Sequence, residues 1–211
     1  MGKKQTILLV HNFYQIGGGE HTVYENEKRL LEKNGHRVYT YTRDNHELNT
    51  SLQKKLLLPF TTVFSYKTYR EIKKLIYGRG IDIVHCHNTF PLISPSVYYA
   101  ARKCHIPVIQ TIHNFRFLCP CGTFYHNGKI CEDCVKYGLH CGVQNSCYRN
   151  SKLETAVVAN MLWVHRKLKT YKKIHYIFLT EFNRRKFESL LGKQADEEFI
   201  KPNFEFIDIQ P

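Results

Sequence analysis

Histidine–asparagine pairs follow three apolar runs of the sequence, and this repetition is the first sign of chemistry. The pairs are His11-Asn12, His87-Asn88 and His113-Asn114. A lone histidine is usually structural, but the carboxyl ends of parallel strands meet at one edge of a sheet, where open α/β sheets bind their ligands. We therefore expect one crevice lined by uncharged hydrogen-bonding groups, which suits a sugar. Its imidazoles would also change protonation near neutral pH.

A glycine-rich turn separates the first apolar run from the helical pattern that follows. It reads Gly17-Gly18-Gly19-Glu20. Glycines at such a turn let backbone N–H groups approach a phosphate, and the helix amino terminus adds a partial positive charge. The dinucleotide fingerprint is incomplete because Thr22 stands at its third glycine position, and a P-loop lysine is missing. Taken alone, the turn indicates a tight strand-to-helix connection more than a ligand site.

Six of the eight cysteines fall within one short segment. They are Cys119, Cys121, Cys131, Cys134, Cys141 and Cys147. Clustered cysteines in a reducing compartment bind metal more often than they form disulfides. A CxxC pair with another pair about ten residues earlier favours a tetrahedral zinc site. The alternative is that the thiols stay reduced and without metal.

Elements that could position these groups alternate along the chain. Apolar, β-branched runs are separated by helical patterns, which is typical of βαβ units and a parallel sheet. The strands are TILLVHNF, HRVYTYT, IDIVHCHN, PVIQTIHNF and IHYIFLT, and the helices cover 20–33, 66–77, 94–104, 153–170 and 181–191. Residues 44–51 read as a polar loop, and residues 56–64 are ambiguous because Pro59 interrupts them. We predict an α/β fold, a Rossmann-like parallel sheet with helices on both faces, plus a cysteine-rich insertion after the fourth strand.

The length, apolar content and net charge of the chain limit its number of domains and the kind of partner it binds. The 211 residues are 43% apolar, enough for one core or one core with a small appendage. The 31 lysines and arginines outnumber the 18 acidic residues, so the formal net charge is +13 and an anionic partner is expected. The apolar run at the start is too short for a secretory signal, and we find no run long enough to span a bilayer. We expect a cytoplasmic protein whose basic segment 149–173 could lie on the inner face of the plasma membrane.

The order of these motifs resembles the amino-terminal half of a family 4 glycosyltransferase of the GT-B fold. The segments that carry the resemblance are ILLVHNFYQIGGGEHTVYENEKRLLEKNGHRVYTYT, IDIVHCHN, PVIQTIHNFRFLCP and IFLTEFNRRKF followed by KPNF. The resemblance covers nearly the whole chain, and its combination of motifs is specific. It implies transfer of a sugar from a UDP- or GDP-sugar to a glycan or lipid-linked acceptor in surface polysaccharide synthesis. It also implies retention at the anomeric carbon without a catalytic metal.

The same resemblance implies roles for particular residues. His113 matches a histidine near the transferred sugar and is the catalytic candidate. The substrate-binding candidates are Gly18, Gly19, Glu20, His87, Asn88 and Asn114. Thr180 and Glu181 match the family more weakly, at a connection towards the interdomain crevice. Similar cysteine segments in some family members make Cys119, Cys131, Cys134 and Cys147 the first choice of zinc ligands, with Cys121 and Cys141 as alternates.

The resemblance also implies a second domain that binds most of the nucleotide sugar. We assign residues 1–211 to the acceptor-side domain, with an insertion at 115–150, and expect the donor-binding domain in cis or in trans. This chain alone is then expected to be inactive. Two other functions stay open: a non-catalytic acceptor-binding subunit of a split transferase, and a zinc-dependent nucleic-acid-binding module. Nucleic acid is not the expected partner, because the basic residues are not interleaved with the cysteine pairs.

Overall fold

Strands that carry the histidine–asparagine pairs lie side by side in one parallel sheet. The structure is a computed structural model, and it describes residues 3–15, 18–50, 52–192 and 198–204. In these residues the sheet has the strand order β2-β1-β3-β4-β7-β8, with every neighbouring pair parallel. The strands are β1 (Thr6–Phe13), β2 (Arg37–Asp44), β3 (Ile83–Asn88), β4 (Val108–Ile112), β7 (His175–Phe178) and β8 (Glu198–Ile200).

Helices connect these strands, as the alternating pattern predicts. They are α1 (Gly19–Lys33), α2 (Leu52–Val63), α3 (Tyr66–Arg79), α4 (Ser96–Lys103), α5 (Asp133–Lys136), α6 (His140–Gln144), α7 (Lys152–Lys167) and α8 (Glu181–Leu191). Two short 3-10 helices cover Asn45–Thr50 and Thr170–Lys173. Parallel strands need crossover connections of this kind, because a tight turn cannot bring the chain back to the same end of the sheet.

Strand β1 is apolar on both sides because helices cover both faces of the sheet. Leu8 and Val10 belong to the main core with residues of α3 and α4. Ile7 and Leu9 point to the other face and pack in a cluster with Tyr24 of α1. A strand buried on both faces reads as a continuous apolar run, which is how TILLV appears in the sequence. The predicted fold class is confirmed.

The boundaries of α3 follow from its flanking residues. Ser65 precedes the helix, and its hydroxyl oxygen accepts a hydrogen bond from the Thr68 N–H at 3.2 Å. Gly80 follows it with a φ of 60°, a left-handed conformation that glycine adopts at little cost and that commonly ends helices. The helical pattern of residues 66–77 therefore runs to Arg79.

Two segments differ from the sequence prediction. The ambiguous region around Pro59 is the helix α2, which contains the proline. The polar loop of residues 44–51 is largely the 3-10 helix Asn45–Thr50, while Ser51 lies outside the described residues.

The predicted strand before α8 is confirmed as β7. Residues 198–200 of the closing segment add β8 to the sheet, and residues 205–211 lie outside the described ranges.

Helix α7 carries the basic segment and also contributes to a small core. Its Met161 and Leu162 are buried against Phe90. Leu153, which the sequence groups with them, is 76% exposed. Most of the apolar face of α7 therefore packs inside the protein. Within the described ranges, helices long and apolar enough to cross a membrane are not found.

The cysteine-rich insertion follows β4 and precedes α7. It contains the antiparallel hairpin of β5 (Tyr125–His126) and β6 (Lys129–Ile130), and then the short helices α5 and α6. Leu118, Cys119 and Phe124 join the main core. The insertion is thus anchored on the core of the sheet, consistent with its low apolar content. Its treatment as a separate unit within one domain stays a prediction.

Candidate active site

Histidines from three strands meet at the carboxyl edge of the sheet. The ring centroids of His11 and His87 lie 6.4 Å apart, and those of His87 and His113 lie 5.2 Å apart in a stacked arrangement. The ring centroid of His85, two residues earlier on β3, lies 4.7 Å from that of His87. The predicted convergence of the strand ends is therefore present in the structure. It results from the parallel register of β1, β3 and β4.

His87 and His113 share a hydrogen bond. Nδ1 of His87 and Nε2 of His113 lie 3.0 Å apart, so one of these two nitrogens carries a proton and the other accepts it. Burial lowers the pKa of His113 to about 4 and that of His87 well below its usual value. Both rings are neutral at pH 7. Nε2 of His87 is buried and has no hydrogen-bond partner among the described residues. Neutral imidazoles of this kind can exchange hydrogen bonds with sugar hydroxyls.

The histidines beneath this pair have structural partners. Nε2 of His85 lies 2.9 Å from the Thr111 hydroxyl. The ring of His11 stacks on Tyr24, with centroids 4.8 Å apart. Burial lowers the pKa of both His85 and His11 to about 3. These two rings support the His87–His113 pair and keep the interior uncharged.

The asparagines of the first two pairs hold loops in place. The side-chain amide of Asn88 donates to the Asn12 carbonyl at 2.7 Å, and its Oδ1 accepts the Phe90 N–H at 3.0 Å. Oδ1 of Asn12 accepts the Leu92 N–H at 3.1 Å. The structure gives Asn88 a loop-shaping role beside the cleft, and its role in substrate binding stays a prediction.

The glycine turn leaves open space before α1. Gly18 is the N-cap residue of α1 and has an extended conformation. Because it is a glycine, it provides no side-chain hydrogen bond to cap the helix. A Cβ atom added to Gly18 or Gly19 would meet no atom within 4 Å, so packing does not require glycine there. The helix dipole at this end of α1 suits an anion in this space. Gly17 lies outside the described residues.

Glu20 is the second residue of α1, and its side chain reaches Asn114 in the loop after β4. Nδ2 of Asn114 donates to its Oε2 at 3.4 Å, while Oε1 is buried and has no partner among the described residues. Burial raises the pKa of Glu20 to about 7, against the opposing effect of Arg116. Glu20 and Asn114, both predicted from sequence, are therefore brought together. The Glu20 carboxyl changes charge near neutral pH.

Arg116 is a member of this site that the sequence analysis missed. Its guanidinium packs beside two aromatic rings that are perpendicular to each other, 4.9 Å from the centroid of Phe90 and 5.0 Å from that of Tyr148. Its Nη1 donates to the Pro120 carbonyl, and its backbone N–H donates to Oδ1 of Asn114 at 2.9 Å. The signal in the sequence was a cation two residues after the third histidine–asparagine pair.

A small cavity lies under these groups. Its volume is about 30 Å³, enough for about two water molecules. The lining includes His87, Asn88, His113, Asn114 and Arg116. Four of the predicted site residues and the missed arginine thus surround one polar space at the carboxyl edge of the sheet.

All six clustered thiols converge on another cavity. Cys119, Cys121, Cys131, Cys134, Cys141 and Cys147 line a space of about 10 Å³. The Sγ atoms of Cys119 and Cys121 lie 3.2 Å apart, and none of the cysteines in the described ranges forms a disulfide. Within the same ranges, His, Cys, Asp and Glu side chains form no group of three or more that could hold a metal ion. The structure brings the predicted ligands together but does not support the zinc site.

Thr180 and Glu181 serve the start of α8. The Thr180 hydroxyl accepts the Asn183 N–H at 3.1 Å and caps the helix. Hydrogen bonds from Arg184 and Arg185 to Glu181 lower the pKa of that carboxyl to about 2. These contacts account for both residues without a ligand.

Comparisons with known proteins agree with the order of the motifs. Residues 16–130, just over half of the chain, match the profile of Glycosyltransferase Family 4. The crystal structure of Acinetobacter baumannii MurG is similar over 97% of this chain and 47% of its own length, with 10% identity and a TM-score of 0.47. S. aureus MnaA, solved with UDP, is similar over 94% of this chain and 68% of its own, with 13% identity and a TM-score of 0.38. Curated protein sequences include no match to the chain.

Proposed function

The chain belongs to glycosyltransferase family 4, and from this membership we propose that it forms the acceptor-side domain of a retaining sugar transferase. The donor would be a UDP- or GDP-sugar, and the acceptor a glycan or lipid-linked glycan of a surface polysaccharide. The observation that carries the proposal is the meeting of His87, His113 and Asn114 around one small cavity, with the Glu20 carboxyl hydrogen-bonded to Asn114. Neutral rings, an amide and a carboxyl provide donors and acceptors for sugar hydroxyls.

In the proposed reaction, two parts of the cleft act on different groups. Gly18 and Gly19 leave room for the donor diphosphate at the amino terminus of α1, whose dipole favours the charge that develops on the leaving group. His113 hydrogen-bonds a hydroxyl near the transferred sugar, while His87 fixes the orientation of its ring. Glu20 accepts hydrogen bonds from a substrate and is not a covalent nucleophile. A catalytic metal is not part of this mechanism.

Donor binding is assigned to a second domain. We propose that it is joined to this chain or supplied by a separate polypeptide, so that residues 1–211 alone do not complete the reaction. The DNA that follows the codon of Pro211 is the first test. An in-frame Rossmann-like pattern would give a single-chain enzyme, and a neighbouring gene would give a split one.

Release of nucleoside diphosphate from UDP- and GDP-sugars tests the transferase itself. With a donor-binding domain present, the substitution His113→Asn should lower turnover about a hundredfold, because a hydrogen bond near the reacting sugar is lost. His105→Asn is the matched control: His105 is exposed, lies at the opposite end of β4 and has a φ of 58°, which asparagine tolerates. Acceptor binding without turnover for any donor would favour the non-catalytic subunit.

A cytoplasmic location with contact to the inner membrane face is the second part of the proposal. Helix α7 exposes Leu153 and Trp163, at 76% and 55%, beside basic residues of the same helix. Apolar groups with cations nearby bind anionic lipid surfaces. Sedimentation with vesicles should be stronger for phosphatidylglycerol than for phosphatidylcholine. Equal sedimentation with both lipids would contradict an electrostatic contact.

Zinc in the cysteine-rich insertion stays a prediction. Six thiols around one cavity supply the donor chemistry that zinc prefers, although the described residues form no metal-binding group. Elemental analysis should then find about one zinc per chain, bound by sulfur. Metal-free protein with six free thiols in the insertion would remove the prediction.

A further inference from the structure

Arg116 is the one permanently charged residue among those that line the active-site cavity. The histidines beside it are neutral, and the other lining groups are hydroxyls, amides or apolar side chains. Its position follows from the chain, because Arg116 is the second residue of the insertion and lies three residues after His113. A cation placed at this cavity faces the same space as the predicted substrate-binding residues.

The contacts of the Arg116 guanidinium leave its charge without a close counter-ion. The rings of Phe90 and Tyr148 pack beside it, and a neutral carbonyl, that of Pro120, accepts a hydrogen bond from Nη1. Within the described ranges, carboxylates do not approach it within ion-pair distance, and its buried Nε has no hydrogen-bond partner. Arg116 is half-buried, and an anion bound beside it would offset the free-energy cost of withdrawing an unpaired cation partly from water.

A second unused donor lies close by. The hydroxyl of Tyr14 is buried and close enough to the Arg116 guanidinium to accept a hydrogen bond from it, and the charges of Arg116 and Glu20 both act on it. Glu20 also interacts electrostatically with Arg116, and because burial raises the pKa of Glu20 to about 7, its carboxyl is only partly ionised at neutral pH. A guanidinium and a phenol together offer several N–H and O–H donors, a set that fits a tetrahedral oxyanion.

We propose that Arg116, together with Tyr14, binds a phosphate group of the substrate at the edge of the cleft. The proposal rests on the transferase function above, whose two substrates can both bring phosphate: the donor as a nucleoside diphosphate, and a lipid-linked acceptor through its phosphate linkage. It also gives the insertion a task. Pro120 and Tyr148, at opposite ends of the insertion in sequence, hold the guanidinium in place.

Binding of phosphate-bearing probes tests the assignment. The probes are UDP for the donor, decyl monophosphate for a lipid-linked acceptor, and uridine as a ligand without phosphate, with affinities measured by titration NMR. Arg116→Gln should weaken the phosphate probe from the relevant substrate at least tenfold and leave uridine unchanged, and Arg116→Lys should keep part of the affinity. Weakening of UDP alone assigns the phosphate to the donor, and weakening of decyl phosphate alone assigns it to the acceptor.

A matched control is available in α4. Arg102 also stacks on a tyrosine, with its guanidinium carbon 4.8 Å from the Tyr99 ring centroid, and it lies outside the cavity lining. Arg102→Gln should therefore change none of the affinities. Thermal unfolding of each variant shows whether it is folded, and Arg116→Lys retains the stacked cation if Arg116→Gln does not fold.

Two results would overturn the assignment. One is folded Arg116→Gln protein that binds UDP and decyl phosphate as the wild type does, and the other is wild-type protein that binds neither. Failure of the transferase proposal looks different, since phosphate binding would depend on Arg116 while no sugar donor releases its nucleotide. Conversely, turnover that is insensitive to Arg116→Gln would leave the transferase standing and remove this role.

Discussion

Glu20 should control how stability depends on pH. Its carboxyl is buried at the amino terminus of α1, and its pKa is raised to about 7 because desolvation disfavours the charged form. Replacing it by glutamine keeps the shape of the protonated acid and removes the ionisation. The difference in unfolding free energy between Glu20→Gln and the wild type should therefore change with pH.

The size and sign of this change follow from linkage. Between pH 4.5 and 7 the folded state holds a proton on Glu20 that the unfolded state has released, so the contribution of Glu20 to stability falls as pH rises. Above about pH 7 both states are ionised and the loss stops growing. Relative to Glu20→Gln, we expect the wild type to lose about 2 kcal/mol between pH 5.5 and pH 8. The buried histidines titrate in both proteins and cancel in the comparison.

Urea unfolding of both proteins at several pH values between 5.5 and 8 measures the difference. Glu181→Gln is the control, because Glu181 also stands in the first turn of a helix but has a pKa lowered to about 2 by Arg184 and Arg185. It is ionised in both states over this range, so its difference from wild type should stay flat. A flat difference for Glu20→Gln as well, or one of opposite sign, would refute the assigned burial of the carboxyl.

Three other predictions concern the turn, the histidine pair and a helix cap. Gly18→Ala should leave the melting temperature unchanged, since its Cβ meets no atom within 4 Å, yet weaken UDP binding measured by titration NMR. The buried histidines should make the wild type less stable as pH falls below 6.5, because the unfolded state binds protons that the neutral, buried imidazoles of the folded state do not bind. His113→Gln should reduce that slope by about 1.4 kcal/mol per pH unit in urea unfolding, and an unchanged slope would contradict its burial. Thr180→Ala should cost about 1 kcal/mol of unfolding free energy, with Thr180→Ser restoring most of it.

The sheet could be predicted from sequence because its strands are short, apolar and bounded by turn residues. Ile7 to Val10 are buried on both faces, and that burial produces the uninterrupted apolar run that marks β1. Helix α2 was harder, since Pro59 within a helix contradicts the local preference of the chain. The 3-10 helix Asn45–Thr50 was also missed, because its polar composition is that of a loop.

The site was predictable where it depends on strand ends and less so where it depends on distant side chains. His87 and His113 meet because β3 and β4 are neighbours, and parallel order alone implies this. The Asn88 amide donates a hydrogen bond to Asn12, on another strand, and a contact between residues so far apart in the chain does not follow from the local sequence. Histidine–asparagine repetition therefore located the cleft but could not separate ligand-binding groups from loop-holding ones.

Arg116 shows why the insertion and the cleft belong to one site. Asn114 links the end of β4 to Glu20, and two residues later Arg116 is held by Tyr148, which follows the last cysteine of the insertion. Cys147 of the thiol cluster is therefore adjacent in the chain to Tyr148, which contacts Arg116 in the cleft. An insertion at this point can change the charge and shape of the cleft while the sheet and its histidines stay as they are. Substrate selection on the acceptor side is then expected to vary with the insertion, and the hydrogen-bonding chemistry of the sheet edge to remain.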